Sequence, residues 1–166
     1  MSILELFDNK MFPYEYSDIL YRLKAFKPMK YGATRNYLNG SVSYLSPYIS
    51  RGVISTKFIL KTLLDNKYNP AHIEKFIQEL AWRDYWQQVW ISKENLINTD
   101  LKHNQSPITN NFLSKAIVDA KTGITAIDKS ILKLYKTGYM HNHLRMYVAS
   151  IACNIALCHW MFPAKW

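Results

Sequence analysis

Apolar residues recur along this chain at the three- and four-residue spacing of helices, and no run alternates with the period of two that a half-buried strand requires. The pattern predicts helices over Tyr14–Phe26, Thr56–Asp65, Ala71–Ser92, Asn111–Ala120 and Thr125–Lys136, and a long one from Tyr139 to Phe162. Pro28, Gly32, Gly40, Gly52, Pro70, Pro107, Gly123 and Gly138 punctuate these segments. Lys30–Gly40 reads as irregular, and the polar stretch Asn95–Thr109 as the main loop. Start signals accompany several helices. Ser46 before Pro47 is a candidate N-cap, Ser55 caps the helix at Thr56, and Asn69-Pro70 opens the next. The fold class expected is all-α. The last helix is apolar nearly all round beyond Leu144, the mark of a helix central to a larger body. The chain stops soon after it, at Trp166, which suggests a truncated body.

Composition narrows the class. A chain of 166 residues, 49% hydrophobic and 20% charged, has the make-up of a globular protein and is expected to form a single domain over 1–166. Its net charge of +9 suits a polyanionic partner such as nucleic acid or a phosphate-bearing cofactor, or else a merely soluble surface. Two cysteines, Cys153 and Cys158, make no disulfide framework and read as buried thiols of a reducing compartment. The opening residues carry no signal-peptide pattern, and no eighteen-residue apolar run exists. A cytoplasmic protein without a membrane partner is therefore expected.

Candidate chemistry gathers in three places. Hydroxyls crowd Ser41–Tyr48 beside a helix start, where free N–H groups and the helix dipole attract phosphate; simple capping by Ser46 is the plainer alternative. On the helix through Ala71–Ser92, Glu79, Trp82, Arg83, Trp86 and Trp90 fall within roughly a third of the circumference. They lie beside an ordinary core stripe of Ile73, Phe76, Ile77 and Leu80. Such a face can stack planar rings and bind phosphate; alternatively the indoles extend the core and Glu79 pairs with Arg83. The third group is Tyr139–Tyr147, where His141 and Arg145 share one helix face, as do Asn142 and Met146. The histidines and cysteines close no tetrahedral set, so no metal is expected.

At this third segment a resemblance emerges. Thr137–Ser150 closely resembles the TGWMHNRLRM…AS signature of the cryptochrome/DNA photolyase family. Phe76–Tyr85 resembles the family's ELxWREF helix, and Tyr31, Arg35 and Ser43–Gly52 its Y…R…SxLSPYLxxG segment. The resemblance implies the family's helical FAD-binding domain, which holds FAD in a U shape. By matching position it assigns Tyr31, Ser43, Leu45, Ser46, Arg83 and Arg145 to the flavin cofactor, with Phe76 where another cofactor-contacting aromatic is common. Glu79, Trp82, Asn142 and Met146 would line the cavity for a flipped pyrimidine dimer in DNA, Glu79 and Asn142 acting on the dimer. Arg35 and His143 would meet the DNA backbone, and Trp160 would relay electrons as the middle member of a tryptophan chain. In the family, light drives an electron from flavin to the dimer, which splits and returns it.

Departures from the family pattern shape the remaining expectations. Neither the family's α/β antenna domain nor its DGD…WQW region has a counterpart, and Val42 replaces a common Thr. The domain is thus expected to be cut short on its C-terminal side, with weak or absent FAD binding, no repair on its own and self-association through an exposed core. Two further readings stand beside the light-dependent lyase: a cryptochrome-like blue-light sensor, and a flavin-free helical nucleic-acid-binding module.

Overall fold

A computed structural model describes residues 11–166; the opening segment read as lacking a signal peptide otherwise lies outside the described residues. Nine α-helices are found there: α1 (Tyr16–Ala25), α2 (Pro28–Thr34), α3 (Ser46–Ser50), α4 (Thr56–Asp65), α5 (Glu74–Lys93), α6 (Lys115–Val118), α7 (Thr125–Thr137), α8 (Asn142–Ser150) and α9 (Met161–Lys165). The described residues contain no strand, only a single bridge between Asn110 and Cys158. Where a single domain was expected, they divide into two compact units, the first spanning residues 12–94 and the second residues 95–166 with Met11.

The core of the first unit follows from i,i+4 apolar pairs. Ile19 and Leu23 on α1, Ile59 and Leu63 on α4, and Phe76 and Leu80 on α5 are all buried, as are Leu45, Tyr48 and Ile54. Each pair stacks on one face of its helix, so three short stripes meet in one cluster. Ser55 caps α4, its hydroxyl accepting a hydrogen bond from Phe58 N at 3.0 Å. Asn69 caps a short 3₁₀ turn (Pro70–His72) through Ala71 N, and α5 starts just beyond, after Ile73.

Two local expectations need correction here. Lys30–Thr34 is helical rather than irregular, because Pro28 occupies the first helical position with φ already fixed, while the tight turn follows only at residues 34–41. In that turn Gly40 is obligatory: a Cβ would lie 1.8 Å from the Thr34 carbonyl oxygen. Ser46 is not a cap. Leu45 holds the cap position without a side-chain hydrogen bond, and Ser46 begins α3.

In the second unit, Ile117, Ile127, Ile131, Met140, Leu144, Val148 and Ala152 form the core. Asp128 fastens the start of α7, accepting hydrogen bonds from Thr122 N at 2.8 Å, Thr122 Oγ1 at 2.6 Å and Gly123 N at 3.2 Å. Gly138, left-handed at φ 68°, closes α7. The long helix expected over Tyr139–Phe162 is broken. α8 passes into a π turn (Ile151–Ile155), and Leu157 takes φ 50°. The loop around Asn110 captures the backbone there: Thr109 N donates to Leu157 O, Asn110 Nδ2 to Ala156 O, and His159 N to Asn110 O. Those groups are lost to a continuous helix. Nor is α8 buried all round, since Met146, Tyr147 and the following Ile155 are exposed. The helix expected at Asn111–Ala120 shrinks to the single turn of α6.

Candidate functional site

In the first unit, α2 and α5 bring four of the assigned residues together. The Tyr31 ring stands edge-on to Phe76, centroids 5.1 Å apart, and Phe26 completes the trio at 4.7 Å from Phe76. Burial, reinforced by the Glu79 carboxylate and opposed by Arg35, pushes the Tyr31 hydroxyl up to about 12. Arg35 Nε lies 3.9 Å from Glu79 Oε1, and its Nη1 donates to Gly32 O at 2.8 Å. The cation beside Glu79 is therefore Arg35 and not Arg83, the i,i+4 alternative. Phe76, only 4% exposed, belongs to the core, where it supports Tyr31 from behind.

The second face of α5 is a row of rings. Trp82, Trp86 and Trp90 are 51%, 58% and 63% exposed, so the indoles do not extend the unit's core. Trp82 and Trp86 are stacked with centroids 6.2 Å apart and an interplanar angle of 22°. Tyr85 stands edge-on to both. Its place in this cluster was legible only as a ring three residues after Trp82. Arg83 is half-buried on the same helix.

Ser43–Ser46 enters α3 through an unusual backbone. Tyr44 is left-handed at φ 53°, and Ser43 Oγ accepts from Leu45 N at 3.4 Å. Ser46 is exposed, whereas Leu45 is fully buried in the core.

The second unit carries the remaining assigned residues. Asn142, Arg145 and Met146 are exposed on α8, and Asn142 and Met146 share a face at i,i+4 as expected. His143 is half-buried, edge-on to Tyr147 at 5.1 Å. His141 is buried and lies just before the helix, its Nδ1 accepting from His143 N at 3.2 Å. Trp160 is half-buried and donates its indole N–H to the Asp100 carboxylate. The Gln105 amide and this indole hold the Asp100 carboxyl below the usual carboxylate range. Sequence reasoning missed Asp100, since nothing local links positions so far apart. Burial pushes the free thiols Cys153 and Cys158 up, the former helped by the latter. Among the described residues no group of three or more His, Cys, Asp or Glu can hold a metal, and no helix is long and apolar enough to cross a membrane.

Comparisons with known proteins bear on the family and the fold. Residues 76–166 match the family model for the FAD binding domain of DNA photolyase. The chain is 29% identical to a deoxyribodipyrimidine photo-lyase of Alkalihalophilus pseudofirmus, over 97% of this chain and 36% of that protein. To the mitochondrial deoxyribodipyrimidine photo-lyase of Saccharomyces cerevisiae it is 31% identical, over 89% of this chain and 29% of that protein. A Synechocystis cryptochrome shares the fold at a TM-score of 0.81 and 24% identity, covering 96% of this chain and 36% of that one. The chain thus spans about a third of the length of these relatives. With its helical fold and a family match over more than half its length, the chain belongs to the family of the FAD-binding domain of DNA photolyase.

Proposed function

We propose that this chain is part of a light-driven, FAD-dependent lyase that splits pyrimidine dimers in DNA. The observation that carries the reading is the exposed, stacked ring face of α5 beside the Arg35–Glu79 pair, within a chain of this family. The residues present fit a flavin dinucleotide in kind. Ser43 and the exposed Ser46 offer hydroxyls and amides to phosphate beside the left-handed turn at Tyr44, and Arg83 adds a cation. Tyr31 supplies a ring held by Phe76, while Leu45, assigned by motif position, lies in the core. The role of Arg145 toward the same cofactor comes from its motif position.

When bound, the flavin supplies the light-driven electron transfer; the protein positions the partners. A dimer taken out of the duplex loses its stacking, and an exposed indole such as Trp82 restores part of it, at about 1–3 kcal/mol per base. Glu79, with Arg35 3.9 Å away, accepts hydrogen bonds from pyrimidine N–H groups. By motif position alone, Asn142 and Met146 are assigned to the same substrate, and Arg35 and His143 to its phosphates. Trp160 relays electrons. Net positive charge steers the DNA. The same reading expects the protein in the cytoplasm, without a metal, and self-associating through an exposed core. The test is binding of a dimer-containing oligonucleotide by this chain against the undamaged one, read by fluorescence anisotropy. Equal affinity for the two would overturn the proposal.

A further inference from the structure

Asp100 and Trp160 form a closed clasp inside the second unit. Trp160 Nε1–H donates to Asp100 Oδ1. Gln105 locks both partners: its backbone N donates to Asp100 Oδ2 at 2.7 Å, and its Oε1 accepts from Trp160 N at 2.7 Å. Its Nε2 donates to Cys158 O at 2.9 Å. The His159 ring is stacked on the indole, centroids 5.7 Å apart at 29°. The other indoles are placed differently. Trp166 donates to the neutral Tyr135 hydroxyl at 3.2 Å. The indole N–H groups of Trp82, Trp86 and Trp90, all exposed, make no hydrogen bond to another described residue.

We propose that Asp100 is a positioning residue that makes Trp160 the preferred indole for one-electron oxidation. This rests on the reading of Trp160 as an electron relay and adds a residue that the reading does not use. Removing one electron leaves a positive charge on the indole and strengthens Nε1–H as a donor. An anion bonded at that atom stabilises the oxidised ring both by Coulomb attraction and by a charge-assisted hydrogen bond. The electron passes to a light-generated one-electron oxidant. The proton stays on Nε1 in its bond to Asp100, and the return of one electron restores the starting state, so no covalent bond breaks. Gln105 keeps the carboxylate and the indole in register, which removes the cost of orienting them at the moment of oxidation.

The test uses the full chain with a ruthenium(III) complex generated by flash-quench as the oxidant. The indole radical is read by transient absorption, and the Trp160 share is the part that Trp160→Phe removes. Asp100→Asn keeps the size and loses the charge; it should cut that share about fivefold, the difference between a charged and a neutral hydrogen-bond partner. Asp100→Glu should restore it, while circular dichroism stays unchanged throughout. An unchanged share in a folded Asp100→Asn protein overturns the proposal, as does a signal that Trp160→Phe leaves intact. The unaltered protein gives a second reading. The Trp160 indole N–H resonance, assigned with Trp160→Phe, should shift as Asp100 takes up a proton below the usual carboxylate range. His159 is the other titratable ring facing the indole. A resonance fixed through the acid range also overturns the proposal. No flavin enters these experiments, so they stand apart from the relay reading. That reading fails on its own if Trp160→Phe leaves photoreduction of the flavin-loaded protein unchanged.

Discussion

Replacing Phe76 tests whether this residue serves the core or meets the cofactor directly. Its ring is almost fully buried, at 4% exposure, between Phe26 and Tyr31. Phe76→Ala removes the transfer energy of a whole aromatic side chain and leaves a cavity, at about 3–5 kcal/mol. The two lost ring contacts account for about 0.5–1.5 kcal/mol each of that range. Against a total stability of about 5–15 kcal/mol, this removes from about a fifth to all of the margin. Phe76→Leu keeps most of the volume and should cost about 1–2 kcal/mol, chiefly the ring contacts. Urea denaturation followed by circular dichroism measures both. A second readout comes from Tyr31, whose hydroxyl is pushed up to about 12 chiefly by burial. With Leu at position 76 water reaches that hydroxyl more easily, so its alkaline absorbance titration should move down toward 10.0, the value of a free tyrosine. If Phe76→Ala leaves the urea midpoint unchanged while flavin binding is lost, the ring does not hold the core and the placement is refuted.

Four further outcomes follow from single contacts. Ser55→Ala should cost about 1 kcal/mol by uncapping α4, lowering the thermal midpoint by about 2–4 °C, and Ser55→Asp should restore most of it. The Asp128 carboxyl is held low first by the Thr122 hydroxyl and then by the Thr122 and Gly123 amides, so its contribution to stability is present above the ordinary carboxylate pKa. It is lost as pH falls through the lower folded value; urea midpoints taken across acid pH should lose this part of their slope in Asp128→Asn. Gly40→Ala should destabilise the first unit in calorimetry, because the added Cβ meets the backbone oxygen of Thr34, which has no side chain's freedom to move aside. Trp82→Ala should weaken binding of a dimer-containing oligonucleotide by about 1–3 kcal/mol in fluorescence anisotropy, leaving the melting curve nearly unchanged because the ring is exposed.

How much could be read in advance depended on how local the cause was. The stripe Phe76/Leu80 and the caps at Ser55 and Asn69 are set by neighbours within one helical turn, and they were legible. So was the separation of the core stripe from the indole face on α5, which needs only the angle per residue. The break after α8 was not. It comes from Asn110 capturing backbone groups of residues 156–159, and apolar periodicity says nothing about a distant loop. The Glu79 partner was misjudged for the same reason: the i,i+4 cation Arg83 is the local choice, but the turn after α2 brings Arg35 instead. Leu45 was assigned by motif position, and only the packing reveals that its side chain lies in the core. The three long signatures identified the family because spacing and residue type survive in sequence even where contacts do not.

The case for a ring-binding surface finally turns on energetics within one helix. α5 already anchors itself through Ile73, Phe76 and Leu80, so its fold does not require the indoles. Leaving a large aromatic side chain in water forgoes about 1.5–3 kcal/mol compared with burying it. Trp82, Trp86 and Trp90 repeat that loss at successive turns, and the first two spend part of it only on stacking against each other. A sequence selected for packing alone would place polar residues at those positions, as α5 does at Gln78, Gln87 and Gln88. The rigid stem beneath them, tied to α2 through the Tyr31–Phe76 contact and the Arg35–Glu79 pair, holds the rings in fixed register. A fixed, exposed aromatic row with a carboxylate at one end is a surface for planar, hydrogen-bonding ligands. Nucleobases are ligands of that kind. If Trp82→Ala and Trp86→Ala each left both DNA binding and stability untouched, the rings would have neither role, and this reasoning would fail with them.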